Sequence, residues 1–168
     1  MIRAMIGAMV AISALSGASV ASASEEAFLQ TLEGTWKGGG TVKVRTNSSP
    51  VTVTCNLKSD TSATSITLDG SCTGLVIFSR AIAADLKVAG NKYSGSYVGA
   101  GTGTAGLNGS RSGNSINLGI RWAKEVNGDR AAKMTIAKVG ENGMRLTTTD
   151  VDPKTGKSVV TSQLNLTR

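Results

Sequence analysis

The chain contains no histidine. That absence removes Ser-His-Asp and Cys-His catalysis, histidine-ligated zinc, and the commonest general base near neutrality. Its eleven acidic residues are dispersed, and no two stand in an apolar setting that would separate their pKa values for paired-carboxylate hydrolysis. The expectation is therefore a protein that is not an enzyme and carries no cofactor or metal. Aromatic residues are only 4% of the chain, so any core is built from small and medium aliphatics. Proline is almost missing, with 2 residues against 21 glycines, and charged residues are 17%, which fits neither a disordered nor a collagen-like composition. Many small β-formers between glycines point to an all-β fold.

The first residues carry an address. Met1-Ile2-Arg3 precedes an apolar run of small residues from Ala4 to Val20, and Ala21-Ser22-Ala23 follows. A positive start, an apolar middle and an Ala-x-Ala exit form the pattern of a cleaved secretory signal. The run is near the lower limit for spanning a bilayer and is rich in Ala, Gly and Ser, so cleavage after Ala23 is expected rather than a retained anchor. The first cysteine is Cys55, which excludes a lipid-modified N-terminal cysteine at that exit. The domains expected are a signal at 1–23 and one β-barrel domain at 24–168, in the periplasm, with no transmembrane segment after cleavage.

The formal charge is +7 over the whole chain. A basic exported protein is drawn to anionic envelope material such as lipid head groups or acidic polysaccharide. The same charge also serves solubility alone. The positive residues are scattered singly, so no patch specific for nucleic acid is defined.

Ser24-Glu25-Glu26 reads as a helix start, with a capping hydroxyl and acids at the positive end of the dipole. The helix is expected to run to about Leu32, apolar on Phe28, Leu29 and Leu32, and to stop at Gly34. Thereafter a period of two dominates. Trp36, Val42 and Val44 share a parity; so do Val51, Val53, Cys55 and Leu57, then Ile66, Leu68, Gly70 and Cys72. Leu75 to Phe78 is an apolar run that joins Ile82, Ala84, Leu86 and Val88 into what reads as one long bent strand. Tyr93 to Val98 and, more weakly, residues 102–109 follow. Ile116, Leu118, Ile120 and Trp122 alternate cleanly before the hairpin signal Asn127-Gly128. Met134 and Ile136, Met144 and Leu146, then Val160, Leu164 and Leu166 complete about nine or ten strands. Consecutive hairpins without long crossovers favour an antiparallel up-and-down β-barrel of about 8–10 strands, with a short N-terminal helix.

Three short motifs are set aside. Gly101-x-Gly103-x-x-Gly106 has dinucleotide-binding spacing but leads into Leu107-Asn108-Gly109-Ser110, which is no helix to face a pyrophosphate. Gly156-Lys157-Ser158 resembles the tail of a phosphate-binding loop, yet Val151 stands where the leading glycine belongs. Asp150 and Asp152 read as turn residues rather than calcium ligands, because no further oxygen ligands stand near them.

Cys55 and Cys72 carry more information. Folding residues 50–74 as a hairpin with Cys55 opposite Cys72 sets Leu57 against Gly70, Ser59 against Leu68 and Thr61 against Ile66, so the apolar parities agree. Directly opposed β-carbons lie within disulfide reach, and an oxidising compartment favours the bridge. A loop of this size contributes on the order of 3 kcal/mol. With no Cys-x-x-Cys and no histidine nearby, a structural bridge is expected over a redox pair.

Gly34-Thr35-Trp36, after a short helix and before a meander of strands, resembles the Gly-x-Trp signature of lipocalins and the wider calycin group. That resemblance implies a tryptophan closing one barrel end, with a basic residue at the end of the last strand packed across it; Arg168 stands at that place. The longer pattern of Trp36-Lys37-Gly38-Gly39-Gly40, one cysteine in each of the next two strands, and glycine-rich hairpins to a basic end is similar to small exported proteins of alphaproteobacteria. It implies a fold and a compartment and carries no activity with it.

Three functions stay open at this point. A calycin-like barrel with few large side chains leaves an interior for a small amphiphilic or anionic ligand, or for an envelope component. If it is hollow, the wall is expected around Ile116, Leu118, Ile120, Met134, Ile136 and Leu146. The alternatives are a structural or assembly protein of the cell envelope acting through basic charge, and a protease inhibitor that inserts Ser24–Leu32 into an enzyme's cleft. Oligomeric state has no signature here. The mature N-terminus is expected to be Ser24; intact mass of the exported protein checks this, and a product retaining Met1 to Ala23 would overturn the assignment of an export signal.

Overall fold

The structure, a computed structural model, describes residues 18–75, 78–99 and 101–168, with side chains from residue 24 onward. Most of the expected signal, residues 1–17, lies outside the described residues, as do Val76 and Ile77 of the apolar run. One helix, α1 (Ala18–Gln30), precedes ten strands. These are β1 (Gly34–Val42), β2 (Val51–Ser62), β3 (Ser65–Gly74), β4 (Phe78–Ala89), β5 (Lys92–Val98), β6 (Ala105–Ser112), β7 (Ser115–Val126), β8 (Asp129–Val139), β9 (Gly143–Val151) and β10 (Ser158–Thr167). Each strand pairs antiparallel with the next, and β1 pairs with β10 to close an up-and-down barrel.

The alternation sorts the side chains as the sequence implies. Along β2, Cys55 and Leu57 are buried while Thr52, Thr54, Asn56 and Lys58 face solvent. Apolar inside and polar outside is the reverse of an outer-membrane barrel, whose apolar band faces lipid. Among the described residues no helix is long and apolar enough to cross a membrane. The register of β2 with β3 sets Cys55 opposite Cys72, Leu57 opposite Gly70, Ser59 opposite Leu68 and Thr61 opposite Ile66. The two cysteines form a disulfide inside the barrel.

The closing strand explains its own glycines. A Cβ on Gly39 would lie 2.2 Å from the Val53 carbonyl oxygen of β2, and one on Gly40 would lie 1.8 Å from the Gln163 carbonyl oxygen of β10. Both neighbouring backbones approach closer than any side chain allows, so β1 can bend sharply enough to join the two edges of the sheet.

Several local expectations need correction. The helix does not begin at Ser24; it runs unbroken from Ala18, since Ala-rich residues 18–23 contain nothing to interrupt it. It ends at Gln30, where bonds from Thr31 N–H to Phe28 O and Leu32 N–H to Leu29 O tighten the last turn. Gly34, at φ 128°, then turns the chain into β1. Val44 lies beyond β1 and is 76% exposed, not inward with Trp36. Leu75–Phe78 does not extend one bent strand: β3 ends at Gly74, Leu75 sits in a turn at φ 49°, and β4 pairs back from Phe78 opposite Gly74. The glycines at 101 and 103 stand in the β5–β6 loop and Gly106 in β6, with no helix after them.

In an up-and-down barrel, odd strands start where even strands finish. Trp36, Ile66, Tyr93, Ile116 and Met144 come from the beginnings of odd strands, and Leu86, Ile136 and Leu166 from the later parts of even ones; all are almost completely buried. Helix α1 presses Phe28 and Leu29, with Leu32 just beyond its end, into that same end. The barrel is thus packed solid at its helix end.

Trp36 is the centre of this plug. It is wholly buried, its indole Nε1–H donates to Leu32 O at 3.0 Å, and the Arg168 guanidinium lies 5.0 Å from the ring centroid. Arg168 also donates from Nη1 to Glu33 O, and from its backbone N–H to Asn142 O at 3.1 Å. Truncating a buried aromatic removes its contacts and leaves a void. Trp36→Ala is expected to cost ~3 kcal/mol or more. Equilibrium denaturation measures this, and an unchanged midpoint would mean the helix end is held by something else.

Candidate functional site

The opposite end is open. A cavity of about 550 Å³ enters the barrel there, with Leu68, Cys72, Met134, Ile136, Leu146 and Leu164 among its walls. Of the wall expected from sequence, the structure brings Met134, Ile136 and Leu146 to this cavity. Ile116, Leu118 and Ile120 are buried but do not line it, which corrects that part of the expectation. Ile116 belongs to the packed helix end. Ile120 pairs with Leu107 and Leu118 with Gly109, one and two inward layers below Tyr97, Ala105 and Trp122. The Tyr97 and Trp122 rings, 6.2 Å apart and tilted 55°, span the small Ala105 and roof those positions over.

Trp122 reaches this place through an irregularity. The β7–β8 pairing shifts between Arg121 and Val126, and the Trp122 carbonyl accepts from Arg130 Nε at 2.8 Å. Among the described residues its buried indole Nε1 has no hydrogen-bond partner, nor has the buried Thr102 Oγ1 on the adjoining loop, and both residues line the cavity. Burial raises the pKa of the Tyr97 hydroxyl, and the nearby Arg80 guanidinium pulls partly in the other direction.

The rim is basic and apolar together. Lys43, Arg45 and Arg80 stand there with Glu125 and Asp150, beside exposed Val44, Leu75 and Phe78. Asp150 is already engaged, accepting from Asn127 Nδ2 at 2.7 Å and from Val151 N–H at 2.8 Å.

The β1–β2 loop is tied across part of this rim. Thr46 N–H donates to Asn127 Oδ1 at 3.1 Å, in the β7–β8 turn, and Thr46 Oγ1 donates to Asp152 Oδ2 at 2.8 Å, in the β9–β10 turn. Around the barrel β8, β9 and β10 separate β7 from β1, so the loop passes over their ends. Asp152 also accepts from the N–H groups of Lys154 and Thr155 and from Thr155 Oγ1. Asp152 is therefore a turn and strap residue, whereas Asp150, expected in the turn, stands within β9 opposite Val159 and holds Asn127 of the β7–β8 turn. Among the described residues no cluster of three or more His, Cys, Asp or Glu is placed to hold a metal.

A second polar cluster holds the plug. Glu25 on α1 accepts from the Tyr93 hydroxyl and from Arg111 Nε at 2.8 Å, and the Arg111 guanidinium lies 4.7 Å from the Phe28 ring centroid. Burial, with the bond to Glu25, pushes the Tyr93 hydroxyl well above the ordinary phenol range. Pattern reading missed this cluster and the Thr46–Asp152 strap, because the partners stand 68, 86 and 106 residues apart and only the register joins them. A search of protein-family models and of curated proteins finds no match to this chain.

The hydrogen bond from Thr46, and then those from Thr155 and Lys154, hold the Asp152 carboxyl below its ordinary pKa. A carboxyl depressed in the folded state contributes stability that is present above its unfolded pKa and lost as pH falls through the folded one. The wild type should therefore be more stable than Asp152→Asn near neutrality. Denaturant titrations at descending pH should show the gap narrowing below about pH 4. A gap that stays constant into strong acid would show that ionisation of Asp152 plays no part.

Proposed function

We propose that this chain is a non-enzymatic binding protein of lipocalin-like type, exported to the periplasm, that holds a small amphiphilic molecule in the open half of its barrel. The observation that carries the reading is the apolar cavity of about 550 Å³, open at one end and stopped at the other by α1 and Trp36. A preformed concave site of this size, lined by aliphatic side chains with a few polar groups at the mouth, suits a small ligand with one apolar end. Gly34 and Trp36 at the closed end, with Arg168 across the ring, support the lipocalin-like comparison. The Cys55–Cys72 bridge supports an oxidising compartment.

The inhibitor alternative loses its argument, because Glu25, Phe28, Leu29 and Leu32 of the segment it needs are buried in the barrel end. An envelope-assembly role would rest on surface charge alone, and it does not account for a hollow interior.

The test is uptake of the neutral fluorescent probe N-phenylnaphthylamine by protein purified from its own host. Wild type and Gly119→Val, which adds bulk where the nearest atom is 3.6 Å away, should both take it up. Met134→Trp, which crowds the wall, should not. No uptake by wild type, or equal uptake by a folded Met134→Trp variant, would overturn the reading.

A further inference from the structure

We propose that the ligand is an anionic amphiphile whose oxyanion head group, a carboxylate or a phosphate, docks on the wall formed by Arg80, Tyr97, Thr102 and Trp122. The inference rests on the binding function proposed above and deepens it. It starts from two orphans. Trp122 is only 4% exposed, yet among the described residues its indole N–H has no acceptor, and the Thr102 hydroxyl beside the same cavity is also buried and unpartnered there. Trp36 offers the contrast within this chain, since its own indole N–H is bonded to Leu32 O. Buried polar groups ordinarily find partners, so two orphans on one cavity wall mark where a bound molecule supplies the acceptor.

The chemistry of the wall sets the sign of that molecule. An indole N–H donates only, and a guanidinium carries five donors and no acceptor. Arg80 is at the start of β4, opposite Cys72, and a Cβ built on Gly101 would lie 1.9 Å from its Nη1, so the guanidinium rests against the loop that carries Thr102. Among the described residues no carboxylate pairs with Arg80, since the ion pairs there are Lys58–Asp60 and Arg111–Glu25. Lys43 and Arg45 add positive charge to the rim. The acids on the cavity are Glu125 and Asp150, and Asp150 is occupied by Asn127 and Val151. Two donor-only groups, the Trp122 indole N–H and the Arg80 guanidinium, beside two hydroxyls that can also donate, favour an anion over a neutral acceptor, because hydrogen bonds to an ionised group are the stronger kind. The apolar chain of the ligand would then run inward toward Met134, Ile136 and Leu164.

The experiment displaces N-phenylnaphthylamine from the purified protein with dodecanoate, dodecyl phosphate and dodecanol. The anions should displace it at least about tenfold more strongly than the alcohol, and their order decides between carboxylate and phosphate. Arg80→Gln should abolish most of that preference, weakening displacement by the anions far more than displacement by dodecanol. Thr102→Val should reduce that preference as well. In protein NMR, the preferred anion should shift the Trp122 Nε1–H resonance and leave that of Trp36 in place. Absence of probe uptake would bring down the cavity reading and this one with it. Normal uptake with equal displacement by alcohol and anions, an unaltered preference in Arg80→Gln, or an unmoved Trp122 resonance would overturn the head-group assignment alone.

Discussion

A barrel closed by ten strands encloses more space than this chain has side chains to fill. Interior width grows with strand number, and about eight strands already leave room only for side chains or one small ligand. Here the large residues are few, and they are placed unevenly. Trp36 and Tyr93, with Leu29, Leu32 and Ile116, fill the helix end, while toward the other end Tyr97 and Trp122 pack on one side only and the small Ala105, Gly74 and Thr148 leave space. Filling one end completely leaves the other hollow. The plug and the cavity are two results of one shortage.

The plug in turn depends on joining distant parts of the chain. Helix α1 brings little apolar surface of its own, and Glu25 would be costly to bury alone. Tyr93 and Arg111 supply the compensating donors, so the helix is held by a charged cluster as well as by Phe28 and Leu29. Arg168 closes the circuit from the last residue back to Glu33 and Trp36. The same end therefore joins α1 to the end of β10, and β1 can meet β10 because its glycines let two backbones approach.

At the open end the structure behaves differently. The β1–β2 loop is held over the strand ends by hydrogen bonds that join Thr46 to Asn127 and Asp152. The Tyr97–Trp122 pair divides the interior, sealing Leu107 and Ile120 beneath it and leaving the β8–β10 side open. Donors without partners collect at that boundary. The proposed binding of an anionic amphiphile rests on this mouth, which is basic and partly apolar.

The sequence by itself determined the all-β alternation, the strand count within a narrow range, and the β2–β3 register. Period two is written locally, and a cysteine pair whose flanking apolar residues agree admits one alignment. It also carried Gly34, Trp36 and Arg168 as a set. The helix start, the turn at Leu75 and the exposure of Val44 were not legible, because each depends on what the segment packs against. Only the tertiary structure decided which inward residues fill space and which surround it. Ile120 and Met134 look alike in their strands, both apolar and both on the inner parity. One is covered by an aromatic pair and the other faces the cavity, and that difference arises from side chains on β5 and β7 brought together by closure of the barrel.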